Sequence, residues 1–252
     1  MVRFVDQVTD PAVLGDLAHA RLGQAYFSRK LNELDTEELY EPSRLPGWSR
    51  AHVVAHVGYN ARAIARLVEW AETGVETPMY SSKEARDREI DFGATLSARA
   101  LRHLSDHASV QLDVAWRDLP DDRWKMEVRS ALGRQIPVSE TVWMRTRELW
   151  LHALDLGNGG RAQDIPEPVQ RRLIDDVLGT WSVRGEKPVE ARATDAGDRF
   201  VMTNEGRGAV TIVAGPLAQI AMWATGRPYA DVTLLDETGA TTGMAPPAPR
   251  WI

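Results

Sequence analysis

Met144-Arg-Thr-Arg-Glu-Leu-Trp-Leu-His-Ala-Leu-Asp155 places a carboxylate, Glu148, and an imidazole, His152, four residues apart in a run with no breaker. That spacing is just over one helical turn, so on a helix both side chains face the same way. Trp143, Trp150, Leu151 and Leu154 surround them with apolar bulk, which predicts a mostly buried helix. A buried glutamate beside a histidine needs a partner or a metal to offset its lost hydration. The same spacing also describes an ordinary hydrogen-bonded or ionic pair on a bundle surface, and these residues alone leave both readings open.

Three more helical patterns lie upstream, at about 10–34, 49–73 and 94–117, with this one over about 137–156. Pro46-Gly47, Gly74, Pro78, Gly93, Pro120 and Pro137 separate them, which predicts a four-helix bundle. Lys83-Glu-Ala-Arg-Asp-Arg88 reads as a mixed-charge loop between the second and third helices. Downstream, Gly157-Asn-Gly-Gly-Arg-Ala-Gln-Asp-Ile-Pro-Glu-Pro168 is a candidate linker. Beyond it the patterns predict a helix over about 168–183, strands near 189–193, 199–203 and 209–213, a short apolar helix from Pro216 to Trp223 and a last strand over 231–235. The expected fold class is α+β, with a bundle over 1–160 and a small α+β domain over 161–252.

The 252 residues are 43% hydrophobic, enough for a substantial core, and their net charge of −6 argues against general attraction to nucleic acid or anionic membrane. The first ten residues lack the basic start and apolar run of a leader, and no stretch approaches the ~18 apolar residues of a membrane span, so a cytoplasmic setting is expected. The chain contains no cysteine. Any metal must therefore use nitrogen and oxygen ligands, and any thiol chemistry must use a thiol from outside.

Six histidines are available: His19, His52, His56, His103, His107 and His152. His52/His56 and His103/His107 are i, i+4 pairs, a spacing that on its own is as well explained by one surface and one core residue. On a wheel of ~100° per residue, with Arg62, Arg66 and Glu69 marking the solvent face, His52 falls ~40° and His56 ~80° from Arg66. His56 is thus the better inward ligand to join Glu148 and His152, leaving His52 at the first turn or a pocket rim. Two histidines and one glutamate would leave a coordination position open, the pattern of a catalytic zinc site. Asp155 could hold the second ring nitrogen of His152 or stand as a solvated residue near the helix end.

Leu45-Pro-Gly-Trp-Ser-Arg-Ala-His-Val-Val-Ala-His56 and Arg145-Thr-Arg-Glu-Leu-Trp-Leu-His-Ala-Leu-Asp-Leu-Gly157 resemble mycothiol-dependent maleylpyruvate isomerases. The resemblance continues through Glu76–Tyr80, Ser139–Arg145, Thr225-Gly-Arg227 and Pro246–Ile252 and so runs the length of the chain. It implies a DinB-like metal-binding four-helix bundle, followed by a small sterol-carrier-like domain closing over the site. It implies zinc on His56, Glu148 and His152, and a catalytic role for Arg227. The implied reaction is the cis to trans isomerisation of maleylpyruvate to fumarylpyruvate in gentisate degradation. Mycothiol would act as thiolate, adding to the double bond and leaving after rotation.

On its residues alone, Arg227 is also a suitable cap for the carboxy end of the helix before it. Arg86, Arg88, Tyr80 and Asn60 could reach the same pocket or serve as ordinary surface and packing residues. Two other functions share the pattern: a metal-dependent thiol S-transferase of the DinB-like group, and a non-catalytic ligand-binding module. The residues that would recognise mycothiol carry no signature.

Overall fold

The computed structural model describes residues 5–204, 206 and 208–251, so the start of the stretch read for a leader and Ile252 of the family-like ending lie outside it. The chain forms two compact units, Met1–Gly160 and Arg161–Ile252.

In the first unit, α1 (Pro11–Asn32) begins with Asp10 accepting from the Ala12 amide and proline at the first helical position, where no amide hydrogen is needed. Helix α2 (Arg50–Thr73) starts at Ser49 and stops at Gly74, which takes the left-handed conformation (φ 76°). Helix α4 (Ala98–Asp118) is capped by Ser97, and α5 (Glu140–Asp155) carries the stretch quoted first. Burial extends almost all round α2, from Val53 and Val54 to Val57, Ala61 and Ile64, because α3, α4 and α5 all pack on it. Small residues permit that approach: a Cβ on Gly58 would meet Leu104 Cγ at 2.8 Å. Leu17, Ile64, Leu67, Leu112, Trp116 and Val142 fill the core between the helices.

The unit departs from the sequence expectation in two places. Residues 83–94 form a further helix, α3 (Lys83–Ala94), rather than a loop. Ser82 caps it by accepting from the Ala85 amide at 3.1 Å, and only Ile90, Gly93 and Ala94 are buried, so a narrow apolar stripe lies hidden among charges. A hairpin of β1 (Glu127–Arg129) and β2 (Gln135–Pro137) precedes α5, whose first residue is therefore Glu140 and not Pro137. Each strand buries one residue, Val128 or Ile136, too little pattern to register in the sequence.

The second unit contains α6 (Glu167–Arg184) and α7 (Leu217–Ala224) with a sheet of β3 (Val189–Ala193), β4 (Arg199–Met202), β5 (Thr211–Gly215), β6 (Thr233–Leu235) and β7 (Thr241–Met244). Strand order is β4-β3-β5-β6-β7, parallel between β3 and β5 and antiparallel elsewhere. The strand over 231–235 is thus not the last, since Asp236–Ala240 turns the chain back into β7. Trp181 of α6 and Trp223 of α7 meet edge to face with centroids 5.7 Å apart, fixing the helix pair beside the sheet. Buried Glu190 on β3 accepts from Arg192 and from both Nε and Nη2 of Arg199, which explains how an acid is tolerated there.

Candidate metal centre

Helices α2 and α5 bring His56, Glu148 and His152 together, with one donor atom from each lying within 4.8 Å of the others. Glu148 Oε2 sits 2.8 Å from His56 Nε2 and 3.0 Å from His152 Nε2. The two rings meet edge to face at 4.8 Å. Side-chain exposures of 7% for His56, 17% for Glu148 and 12% for His152 leave the cluster largely but not wholly buried.

The electrostatics follow from this arrangement. Burial alone would raise the Glu148 carboxyl, but hydrogen bonds from His152 and His56 overcome it and hold the group well below the usual carboxylate range. Burial would lower His152, yet the hydrogen bonds to Asp155 and Glu148 raise it to about 9. Desolvation lowers His56, with Glu148 only partly compensating. Hydrogen bonds from both rings and the positive charge of His152 thus offset the buried carboxylate's charge.

The donor set fits a divalent metal. Two imidazole nitrogens and a carboxylate oxygen face one another, and His152 Nδ1 lies 2.9 Å from Asp155 Oδ2, whose side chain is only 2% exposed. That contact places a proton on Nδ1 and points Nε2 at the centre, the support usual behind a metal-ligating histidine. Ligands of this type suit zinc and also other first-row divalent ions.

The remaining candidates divide. His52 Nδ1 closes the first turn of α2 against the Ser49 amide at 3.2 Å and hydroxyl at 2.7 Å. The Trp48 indole stacks on His52 with centroids 6.2 Å apart and meets His56 at a tilt with centroids 5.5 Å apart. His103 and His107 line a separate open cleft of about 490 Å³ with Tyr59, Arg62 and Arg99. Arg86 Nη2 reaches His56 Nδ1 at 3.3 Å. Tyr80 is hydrogen-bonded to Arg86, and burial pushes its hydroxyl up to about 12, so it stays protonated. Arg88 is exposed on α3.

Asn60 is committed elsewhere. Its Oδ1 accepts from Arg145 Nη1 at 3.0 Å, while the same guanidinium donates to Val57 O at 2.7 Å and Gln24 Oε1 at 3.0 Å. Arg145, on α5 three residues before Glu148, is buried, and desolvation lowers it to about 10, still a cation at neutral pH. It joins α5 to α2 and α1 next to the His56–Glu148–His152 cluster. Its one signal in the sequence is an arginine among the apolar residues of a buried helix. In the second unit, half-buried Arg227 follows α7, with its amide donating to Met222 O at 2.9 Å and Nη1 to Thr225 O at 3.1 Å.

Residues 20–157, more than half of the chain, match the family model of the mycothiol maleylpyruvate isomerase N-terminal domain. The chain belongs to the mycothiol maleylpyruvate isomerase family. The crystal structure of a mycothiol-dependent maleylpyruvate isomerase is similar across both units, with 42% identity, a TM-score of 0.87 and coverage of 95% of this chain and 97% of that one. A mutant of such an isomerase gives a TM-score of 0.86 at the same identity and coverage. Among curated proteins none matches. No helix among the described residues of this family member is long and apolar enough to cross a membrane.

Proposed function

We propose that this chain catalyses the mycothiol-dependent cis to trans isomerisation of maleylpyruvate to fumarylpyruvate in gentisate degradation, in the cytoplasm. The similarity to mycothiol-dependent maleylpyruvate isomerase over 95% of the chain at 42% identity carries this reading. His56, Glu148 and His152 are the proposed metal ligands, and zinc is the proposed ion. A divalent ion held there would supply Lewis acidity that lowers a thiol's pKa towards neutrality, and mycothiol would supply the thiol that the cysteine-free chain lacks.

The protein's own residues do the rest. Asp155 holds the His152 ring with Nε2 towards the centre, at 2.9 Å from Nδ1. The Trp48 ring lies 5.5 Å from the His56 ring, and the neutral, buried Tyr80 hydroxyl offers a proton donor without adding charge. For Arg227 we propose a role in gripping a substrate carboxylate and stabilising the enolate that forms as a thiol adds to the alkene; a planar guanidinium suits both tasks.

The test is to incubate the metal-loaded chain with maleylpyruvate, with and without mycothiol, and follow fumarylpyruvate. Isomerisation only with the thiol is expected. Arg227→Ala should keep its metal and lose at least about 100-fold in turnover, the scale of one charge-stabilising donor. Thiol conjugation of other electrophiles without isomerisation would replace this reading with that of an S-transferase, and near-normal turnover of Arg227→Ala would remove that residue from the mechanism.

A further inference from the structure

His56 uses both ring nitrogens, and its second contact does not fit metal ligation. Nε2 lies 2.8 Å from Glu148 Oε2, while Nδ1 lies 3.3 Å from Arg86 Nη2. A guanidinium only donates hydrogen bonds. Its contact with Nδ1 therefore engages the ring's lone pair, and the ring proton sits on Nε2, donating to Glu148. A metal held through Nε2 requires the opposite tautomer, with the proton on Nδ1, so that two donors would face each other across that 3.3 Å. His152 provides the contrast: its Nδ1 faces the Asp155 carboxylate, an acceptor. Metal ligation and the Arg86–His56 contact exclude one another.

Arg86 has the means to move. Its side chain is 30% exposed, and Nη1 keeps a separate partner in Asp87 Oδ1 at 2.8 Å. Displaced from His56, the guanidinium keeps Asp87 and Tyr80 as partners and still has the N–H that faced Nδ1 to offer beside a cationic centre, an arrangement that favours an anion. We propose that Arg86 is a substrate-binding residue that exchanges His56 for a carboxylate of the dianionic substrate when His56 ligates the metal. The identity of that substrate rests on the function proposed above; the exchange itself rests on the two contacts of His56.

Chelator competition for zinc and calorimetric titration of the zinc-loaded full chain with maleate, a simple dicarboxylate, test it. Arg86→Met should hold zinc about fivefold more tightly, because the metal no longer displaces a hydrogen bond. The zinc-loaded variant should bind maleate about tenfold more weakly, with Arg86→Lys recovering part of the loss. In turnover, KM for maleylpyruvate should rise while kcat changes little. Unchanged or weaker zinc binding by Arg86→Met overturns the proposal, as does maleate affinity equal to that of the unsubstituted chain, or no maleate binding by either. A chain that binds maleate through Arg86 but does not isomerise maleylpyruvate would refute the proposed function and leave this inference standing.

Discussion

Asp155 determines how His152 behaves. With that carboxylate 2.9 Å from Nδ1 and Glu148 3.0 Å from Nε2, the metal-free ring carries both protons up to about pH 9. A histidine raised above its unfolded value stabilises the fold fully below about pH 6.5, and that contribution is lost as pH rises through the folded value of about 9. Thermal melts of metal-free protein should accordingly show falling stability from neutral pH towards pH 9. Asp155→Asn should narrow that window, and it should also weaken metal affinity by ~10- to 100-fold, because the ring loses the acceptor that orients it. Equal affinity in a chelator titration would show that Asp155 has no such role. At this scale the sequence was informative about spacing and silent about partners. Glu148 and His152 could be paired from their one-turn separation, and the wheel favoured His56 over His52, which the Ser49 cap now occupies. The Arg86–His56 contact spans thirty residues of sequence, so no local pattern reveals it.

Helix packing sets how firmly those side chains are held. Gly23 of α1 lies against α5 so closely that an added Cβ would meet Trp150 Nε1 at 2.8 Å and Leu149 Cβ at 3.2 Å. Both neighbours fall between Glu148 and His152 on α5. Gly23→Ala should therefore cost about 1–3 kcal/mol, as overpacking does, and shift α5 enough to lower metal affinity as well as Tm. A variant as stable as the parent would mean that the Trp150 ring moves aside freely. Long amphipathic helices were legible because proline, glycine and serine mark their ends, as Asp10-Pro11 and Ser49 with Gly74 do for α1 and α2. Helix α3 was not, since Lys83–Arg88 looks like solvated loop until Ser82 is seen capping it and Ile90 is seen buried. The three-residue strands β1 and β2 are too short for an alternating pattern to emerge.

For the whole molecule, the decisive sequence facts are an absence and a coincidence. The absence of cysteine excludes an internal thiol and a thiolate ligand, while two separated helical motifs supply the nitrogen and oxygen donors that meet between α2 and α5. Arg145 had no reading in the sequence, and it is buried because Val57 O, Asn60 and Gln24 accept from its guanidinium. In the proposed function, His56, Glu148 and His152 form one metal centre on which thiol-dependent isomerisation depends. The most direct test is to measure divalent metal content and mycothiol-dependent isomerisation together in the parent chain and in Glu148→Ala. About one ion per parent chain is expected, with metal and activity lost together in the variant. Full activity from a variant that carries no metal would contradict it.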